Sequence, residues 1–439
     1  MTRSSKSKFI RNTPLVIICI LGLIIGGIFL SKNAEAAQLT WEKVNNPGFG
    51  DAQNDQITSL YEFNSFLYAG TLNSSQGSEV WRSGSPASDN WDMVNNNGFD
   101  SSNNTDALSM IEFDSDLYVG THNAVTGAEV WYCTSASGCD GSGDWTQANG
   151  DGFGEGTDID GVYDLEVFGD YLYAATDSPG GGGEVPGSGG RIYRTNASGA
   201  APPFTWDKVN TNGFGDSANI VIHSLEVFDS YLYASTEHSS GGEIWRSSDG
   251  TAWSEVVGSG APFGPGNGFG DSGNTQILVM LSFEGNLYAG TYNGAGAELW
   301  RSADGASWAQ VSTNGFGDTN NDYILCLGAN AGYIYAGTRK GVTTGPDAGG
   351  ELWGSGNGTN WEQKNTDGFG DTGNNRIVSL ESYSNYLYGG TWHGSGEVWG
   401  SQSDEQGAVP EFTLLTIGLA FVLGGGIYFW IRKRKQKTT

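Results

Sequence analysis

Short runs in which apolar and polar residues alternate return along the chain with the same punctuation. The fourth repeat shows the unit. Residues 220–228 form a β-rich run, and Asp229-Ser230 turns the chain. Residues 231–236 (Y-L-Y-A-S-T) form a second run, and residues 242–247 (G-E-I-W-R-S) follow a polar loop. Ser248-Asp249-Gly250-Thr251 is a turn, and Trp253-Ser254-Glu255-Val256 closes the unit. Period-two alternation bounded by Gly, Asp, Asn and Ser predicts strands joined by hairpins. Four short antiparallel strands per repeat are the content of a propeller blade.

The unit occurs seven times. The phenylalanine of its N-G-F-G-D phrase is Phe49, Phe99, Phe153, Phe214, Phe269, Phe316 and Phe369. The threonine of its L-Y-A-G-T phrase is Thr71, Thr121, Thr176, Thr236, Thr291, Thr338 and Thr391. A spacing of 47 to 61 residues between equivalent positions predicts a repeat fold. The seventh repeat stops after its third strand at Glu397-Val398-Trp399, and the chain opens with an orphan fourth strand, Trp41-Glu42-Lys43-Val44. Pairing the two would close an all-β, seven-bladed propeller over residues 37–402 and remove the open sheet edge.

Both ends carry membrane signals. Arg3, Lys6, Lys8 and Arg11 precede an apolar run over 15–30 and then Ala34-Glu35-Ala36, which reads as a signal peptide cleaved after residue 36. An uncleaved signal anchor is the alternative, because the run approaches the length of a span. Cys19 lacks the small preceding residue that lipidation needs. At the other end a linker over 403–412 closes with Pro410, Glu411 and Phe412, ahead of an apolar segment over 413–431 and a basic tail over 432–439. That segment is long enough to cross a bilayer, and the basic end belongs on the cytoplasmic side. This tripartite tail resembles the Pro-Glu-Phe (PEF-CTERM) sorting signal of archaeal surface proteins. The resemblance implies a sortase-like processing enzyme that removes the tail, with a lipid anchor in its place; a plain transmembrane anchor is the simpler reading. Either way the repeats are expected outside the cell.

The turns before the fourth-strand tryptophans, 247–253, 302–308 and 354–361, resemble the Asp-box of sialidase-like propellers, with a loop one residue shorter. The resemblance implies a structural aspartate that caps the turn.

Charge narrows the partners. Residues 37–408 hold 47 Asp+Glu and 11 Lys+Arg, a net charge near −36. Such a surface repels nucleic acid and attracts cations. Cys133 and Cys139 flank five residues and are placed to form a disulfide in an exported protein, whereas Cys326 lies in an apolar run and reads as a buried thiol. Asn73, Asn103, Asn196 and Asn357 begin glycosylation sequons.

Three sets of repeat-equivalent residues are candidates for chemistry. Asp51, Asp216, Asp271, Asp318 and Asp371 each precede an asparagine by three residues, at Asn54, Asn219, Asn274, Asn321 and Asn374. Hard oxygens in a glycine-rich loop suit calcium. They equally suit a turn in which glycine supplies positive φ, phenylalanine plugs between blades and aspartate caps. His122, His238 and His393 follow the repeat threonine within two residues, and would make a metal site only if they converge. Arg82, Arg246 and Arg301 follow the third-strand tryptophan in separate repeats, the wrong placement for one sialidase-like centre, and are expected in ion pairs between blades. Loops over 180–190, 258–266 and 339–350 break the pattern, where a grafted site would be sought. No Ser-His-Asp spacing, zinc motif or phosphate loop stands out. The expectation is a cell-surface binding or adhesion module for a protein or glycan. A polysaccharide hydrolase or lyase and a structural envelope component without a discrete ligand are the alternatives.

Overall fold

A computed structural model describes residues 39–178, 188–197, 201–262, 264–341 and 348–402. The leader, the Pro410-Glu411-Phe412 motif and the apolar segment over 413–431 lie outside the described residues. Among the described residues the regular structure is all strand and short 3-10 turn, and no helix is long and apolar enough to cross a membrane.

The fourth repeat folds as Val221–Phe228, Tyr231–Glu237, Ile244–Ser247 and Ser254–Val257, each pairing antiparallel with the next. Six other units pair in the same order. In the last, Tyr386–Trp392 pairs with Val398–Gln402, and Val398–Gln402 pairs with the opening strand Thr40–Lys43, Thr40 opposite Gln402 and Lys43 opposite Trp399. The first strands are Gln56–Phe63, Asp106–Phe113, Val162–Phe168, Val221–Phe228, Gln276–Phe283, Asn321–Asn330 and Arg376–Tyr383. Each packs on the first strand of the next unit, and Gln56–Phe63 packs on Arg376–Tyr383. They form an inner wall.

Between units the wall is stitched at one level. The end of each second strand bridges the start of the next first strand: Leu72 to Asp106, His122 to Gly161, Asp177 to Val221, Glu237 to Gln276, Tyr292 to Tyr323, Arg339 to Arg376 and Trp392 to Gln56. Two residues further along, every first strand carries a β-bulge, at Thr58, Leu108, Tyr163, His223, Leu278, Leu325 and Val378. A bulge re-aims a side chain and tightens the local twist.

Packing between units is aromatic and repeats with the sequence. Phe269 stacks on Trp300 at 4.6 Å and meets Trp308 edge-on at 5.4 Å. All seven phenylalanines of this loop have φ between 54° and 60°. Positive φ on a bulky residue is strained. The glycine before each also has positive φ, so two successive residues are left-handed where the sequence pointed to glycine alone. Stacking on the third-strand ring holds the phenylalanine there.

The Asp-box-like turns link neighbours. Asp249 Oδ1 accepts the N–H groups of Thr251 and Ala252, and the hydroxyls of Ser247 and Thr251. Gly250, at φ 74°, lies against the Tyr173 hydroxyl of the preceding unit, so any side chain there would collide with it. Arg194 donates to the Asp249 carbonyl, Arg246 to that of Asp304 and Arg301 to that of Asn357. The arginines therefore do join units, but chiefly through carbonyl oxygens. Among the described residues only Arg82 of the three expected arginines pairs with a carboxylate, Asp140 at 3.7 Å, and it too donates to a carbonyl, that of Gly138. Gly138 lies in the loop closed by the Cys133–Cys139 disulfide, which stands where other units have their Asp-box-like turn.

Candidate functional site

The Asp and Asn of each N-G-F-G-D loop turn away from each other. Asp51, Asp216, Asp271, Asp318 and Asp371 each accept a backbone N–H two residues on, and so cap the turn. Their second oxygens face donors: Gln76 for Asp51, His238 for Asp216, Asn293 for Asp271 and the Lys340 ammonium for Asp318. Asn54, Asn219, Asn274, Asn321 and Asn374 are fully buried. Asn274 is representative: Nδ2 donates to the Gly268 carbonyl and to Glu298 Oε2, while Oδ1 accepts from Thr291 and Asn293. Trp300 Nε1 donates to the same Glu298 oxygen at 2.9 Å. The asparagine oxygens are thus occupied by protein donors. No group of three or more His, Cys, Asp or Glu placed to hold a metal occurs among the described residues.

Sequence reasoning passed over the glutamate of this node: Glu79, Glu129, Glu243, Glu298, Glu351 and Glu397. Comparison among the repeats could have found it, because Asn, Thr, Glu and Trp recur together in six units. The third unit keeps its threonine, Thr176, and replaces the other three in concert. Ile159 stands at the asparagine position, Arg191 at the glutamate and Tyr193 at the tryptophan. Glu155 then takes both partners, 3.4 Å from Arg191 Nη2 and 2.6 Å from the Tyr193 hydroxyl. A buried cation has replaced a buried anion, with a new counter-charge.

The other candidates disperse. His238 lies by Asp216 of its own unit at 3.6 Å, and His122 by Asp106 at 3.9 Å. Asn73 is fully buried, with its amide on Asn54 Oδ1, so this sequon presents no acceptor for a glycan. Cys326 is a buried free thiol whose pKa burial pushes up. Residues 179–187 and 342–347 of the pattern-breaking loops lie outside the described residues. In the 258–266 loop, Gly260 N–H donates to Glu255 Oε1.

What does converge is the inner ring of bridges, whose residues vary between repeats. One arc is acidic. Asp106, Asp160, Asp177 and Glu237 surround Tyr163, which meets His223 edge-on at 5.5 Å. His223 Nε2 lies 3.2 Å from Glu237 Oε2. Burial raises Asp177 to about 6, against the N–H groups of Gly161 and Asp160 that it accepts. The opposite arc is basic and aromatic. Arg376 lies 3.3 Å over the Trp392 ring, Arg339 lies 4.5 Å over Tyr323, and Tyr323 packs on Tyr292 at 4.2 Å. Burial, and then the like charge of Arg339, lower Arg376 to about 10.

Further along the inner wall lie Asp164, Glu166, Glu226 and Glu381. First strands do not share a ladder with each other, so their inward N–H groups need side-chain acceptors. Asp164 Oδ2 takes Leu225 N–H and Glu226 Oε1 takes Ser282 N–H, each from the next unit. Burial raises Asp164, Glu226 and Glu381 each to about 7, and Glu166 well above its ordinary value. A carboxyl raised on folding adds stability that is full below about pH 4, the unfolded value, and is lost as pH rises through the folded value. Stability should therefore fall between about pH 4 and 7 and then level off. Each group should contribute on the order of 1–2 kcal/mol after discounting for water on the inner wall. Urea midpoints across that range should flatten in a Glu226→Gln, Glu381→Gln variant. An unchanged slope would place the effect in overall charge repulsion.

No protein-family model matches the chain, and no curated protein does. Among solved structures, the chain is similar to streptogramin B lyase, with a TM-score of 0.56 at 9% identity over 83% of this chain and 97% of that one. It is also matched to Trypanosoma rangeli sialidase in complex with sialic acid, with a TM-score of 0.40 at 11% identity over 83% of this chain and 59% of that one. Likeness at such identities concerns the fold alone: the chain is an all-β protein with a β-propeller architecture.

Proposed function

We propose that the chain is a seven-bladed β-propeller closed by its opening strand, and that it is held outside the cell. The anchor would be the 413–431 span or a lipid that replaces it after a sortase-like enzyme acts at Pro410, Glu411 and Phe412. The propeller would act there by binding a surface protein or glycan. Support for closure comes from the antiparallel pairing of Thr40–Lys43 with Val398–Gln402. The single observation that carries the binding reading is the divided inner ring, acidic on one arc and basic and aromatic on the other. Its residues differ from unit to unit, whereas those that hold the fold repeat. The test is a screen of envelope glycans and proteins against the full chain in neutral detergent, with and without calcium. A ligand whose binding fails on substitution in the inner ring is expected.

A polysaccharide-cleaving activity has one observation in its favour. Asp164, Glu226 and Glu381 titrate near neutral pH, as general acids do. Turnover of a bound polysaccharide that Glu226→Gln abolishes would replace the binding reading with this one.

A further inference from the structure

We propose that Arg376 and Arg339 form a receptor for a single ligand carboxylate, and that the ligand is a peptide C-terminus. This rests on the binding reading above and names its ligand class. Residues 37–408 hold 11 Lys+Arg among 47 Asp+Glu. Among the described residues, the ten basic side chains other than Arg376 have a hydrogen bond or an ion pair. Lys340, for instance, meets Asp318, Glu351 and Asp367, and Lys43 meets Glu397. Arg376 makes neither, and its buried Nε has no acceptor. It nonetheless stands opposite Arg339 in a bridging pair, like charge against like. Asp322, 3.7 Å from Arg339 Nε, is the one carboxylate paired with either arginine among the described residues. Two adjacent guanidiniums with so little counter-charge are unfavourable unless an anion joins them. Stacking on Trp392 and Tyr323 occupies their faces and leaves N–H edges for an acceptor, the geometry that matches a carboxylate fork.

The rest of the ring selects the remainder of the ligand. Asp177, Glu237 and Asp106 on the other arc repel further negative charge and favour an ammonium group. A net charge near −36 over residues 37–408 likewise disfavours polyanions. A carboxylate beside an apolar face, with a cationic or neutral remainder, describes a peptide end better than an acidic polysaccharide.

The test is calorimetric titration of the full chain in neutral detergent with the dipeptide Gly-Phe, its C-terminal amide and a glucuronate trisaccharide. Gly-Phe should bind, the amide at least tenfold more weakly. Arg376→Gln should weaken Gly-Phe at least tenfold and leave the melting temperature unchanged; Arg339→Gln is the second variant should the first not fold. Equal binding of acid and amide, wild-type affinity in both folded variants, or no binding of Gly-Phe would overturn the proposal. Trisaccharide binding lost in Arg376→Gln without Gly-Phe binding would also overturn it, in favour of a uronate. A screen ligand indifferent to Arg376→Gln sinks this proposal and leaves the binding reading intact, whereas turnover sinks that reading whatever the dipeptide does.

Discussion

Removing residues 39–44 should leave no cooperatively folded monomer. The segment supplies the fourth strand of the last unit, and its loss strips the outer edge of Val398–Gln402. It also removes Trp41, which packs on Phe369 at 4.8 Å and donates to the Lys364 carbonyl, and the Val44 carbonyl that accepts Trp91 of the first unit. Losing the half-buried Trp41 side chain alone should cost about 2–3 kcal/mol. With the ladder and the Leu39 and Val44 burial gone as well, the total should exceed the 5–15 kcal/mol by which domains are ordinarily stable. The bared edge is a template for pairing with another chain. Size-exclusion chromatography should show aggregate for the deletion, and Trp41→Ala should stay monomeric with a lowered urea midpoint. A monomeric deletion variant with the wild-type midpoint would refute the closing role.

Asn274→Ala should be among the most damaging point substitutions, at about 3–5 kcal/mol. Its amide is the hub through which Glu298, Thr291, Asn293 and the Gly268 carbonyl are satisfied in a fully buried place. Alanine leaves Glu298, 5% exposed, with one side-chain partner fewer, Trp300 Nε1 remaining at 2.9 Å. Glu298→Gln keeps shape and most hydrogen bonds, so it should cost about 1–2 kcal/mol. Urea unfolding followed by tryptophan fluorescence measures both. Equal losses in the two variants would mean that the Glu298 charge, and not the asparagine hub, holds the node.

The third unit shows why such a node is read poorly from one position at a time. Ile159, Arg191 and Tyr193 look like three unrelated departures along the chain, yet Glu155 meets both Arg191 and Tyr193. The loop asparagines are a related case. An Asp-x-x-Asn spacing is compatible with calcium, but spacing does not say which way an amide faces, and burial turned it inward. The arginines after the third-strand tryptophan were legible as contacts between units. Their carbonyl acceptors were not, because a backbone oxygen has no signature in sequence.

The chain by itself determined the repeat, the four strands of each unit and the pairing of the opening strand with the last sheet. Each follows from local alternation, turn chemistry and counting. The tertiary structure alone decided the inner ring. Tyr163, His223, Glu237, Arg339, Arg376 and Trp392 are far apart in sequence and have no common motif. They meet because the end of a second strand bridges the start of the next first strand, which brings separate positions to one level. Positions that must hold the fold repeat because each unit solves the same packing problem, and positions free of that demand can diverge and carry recognition.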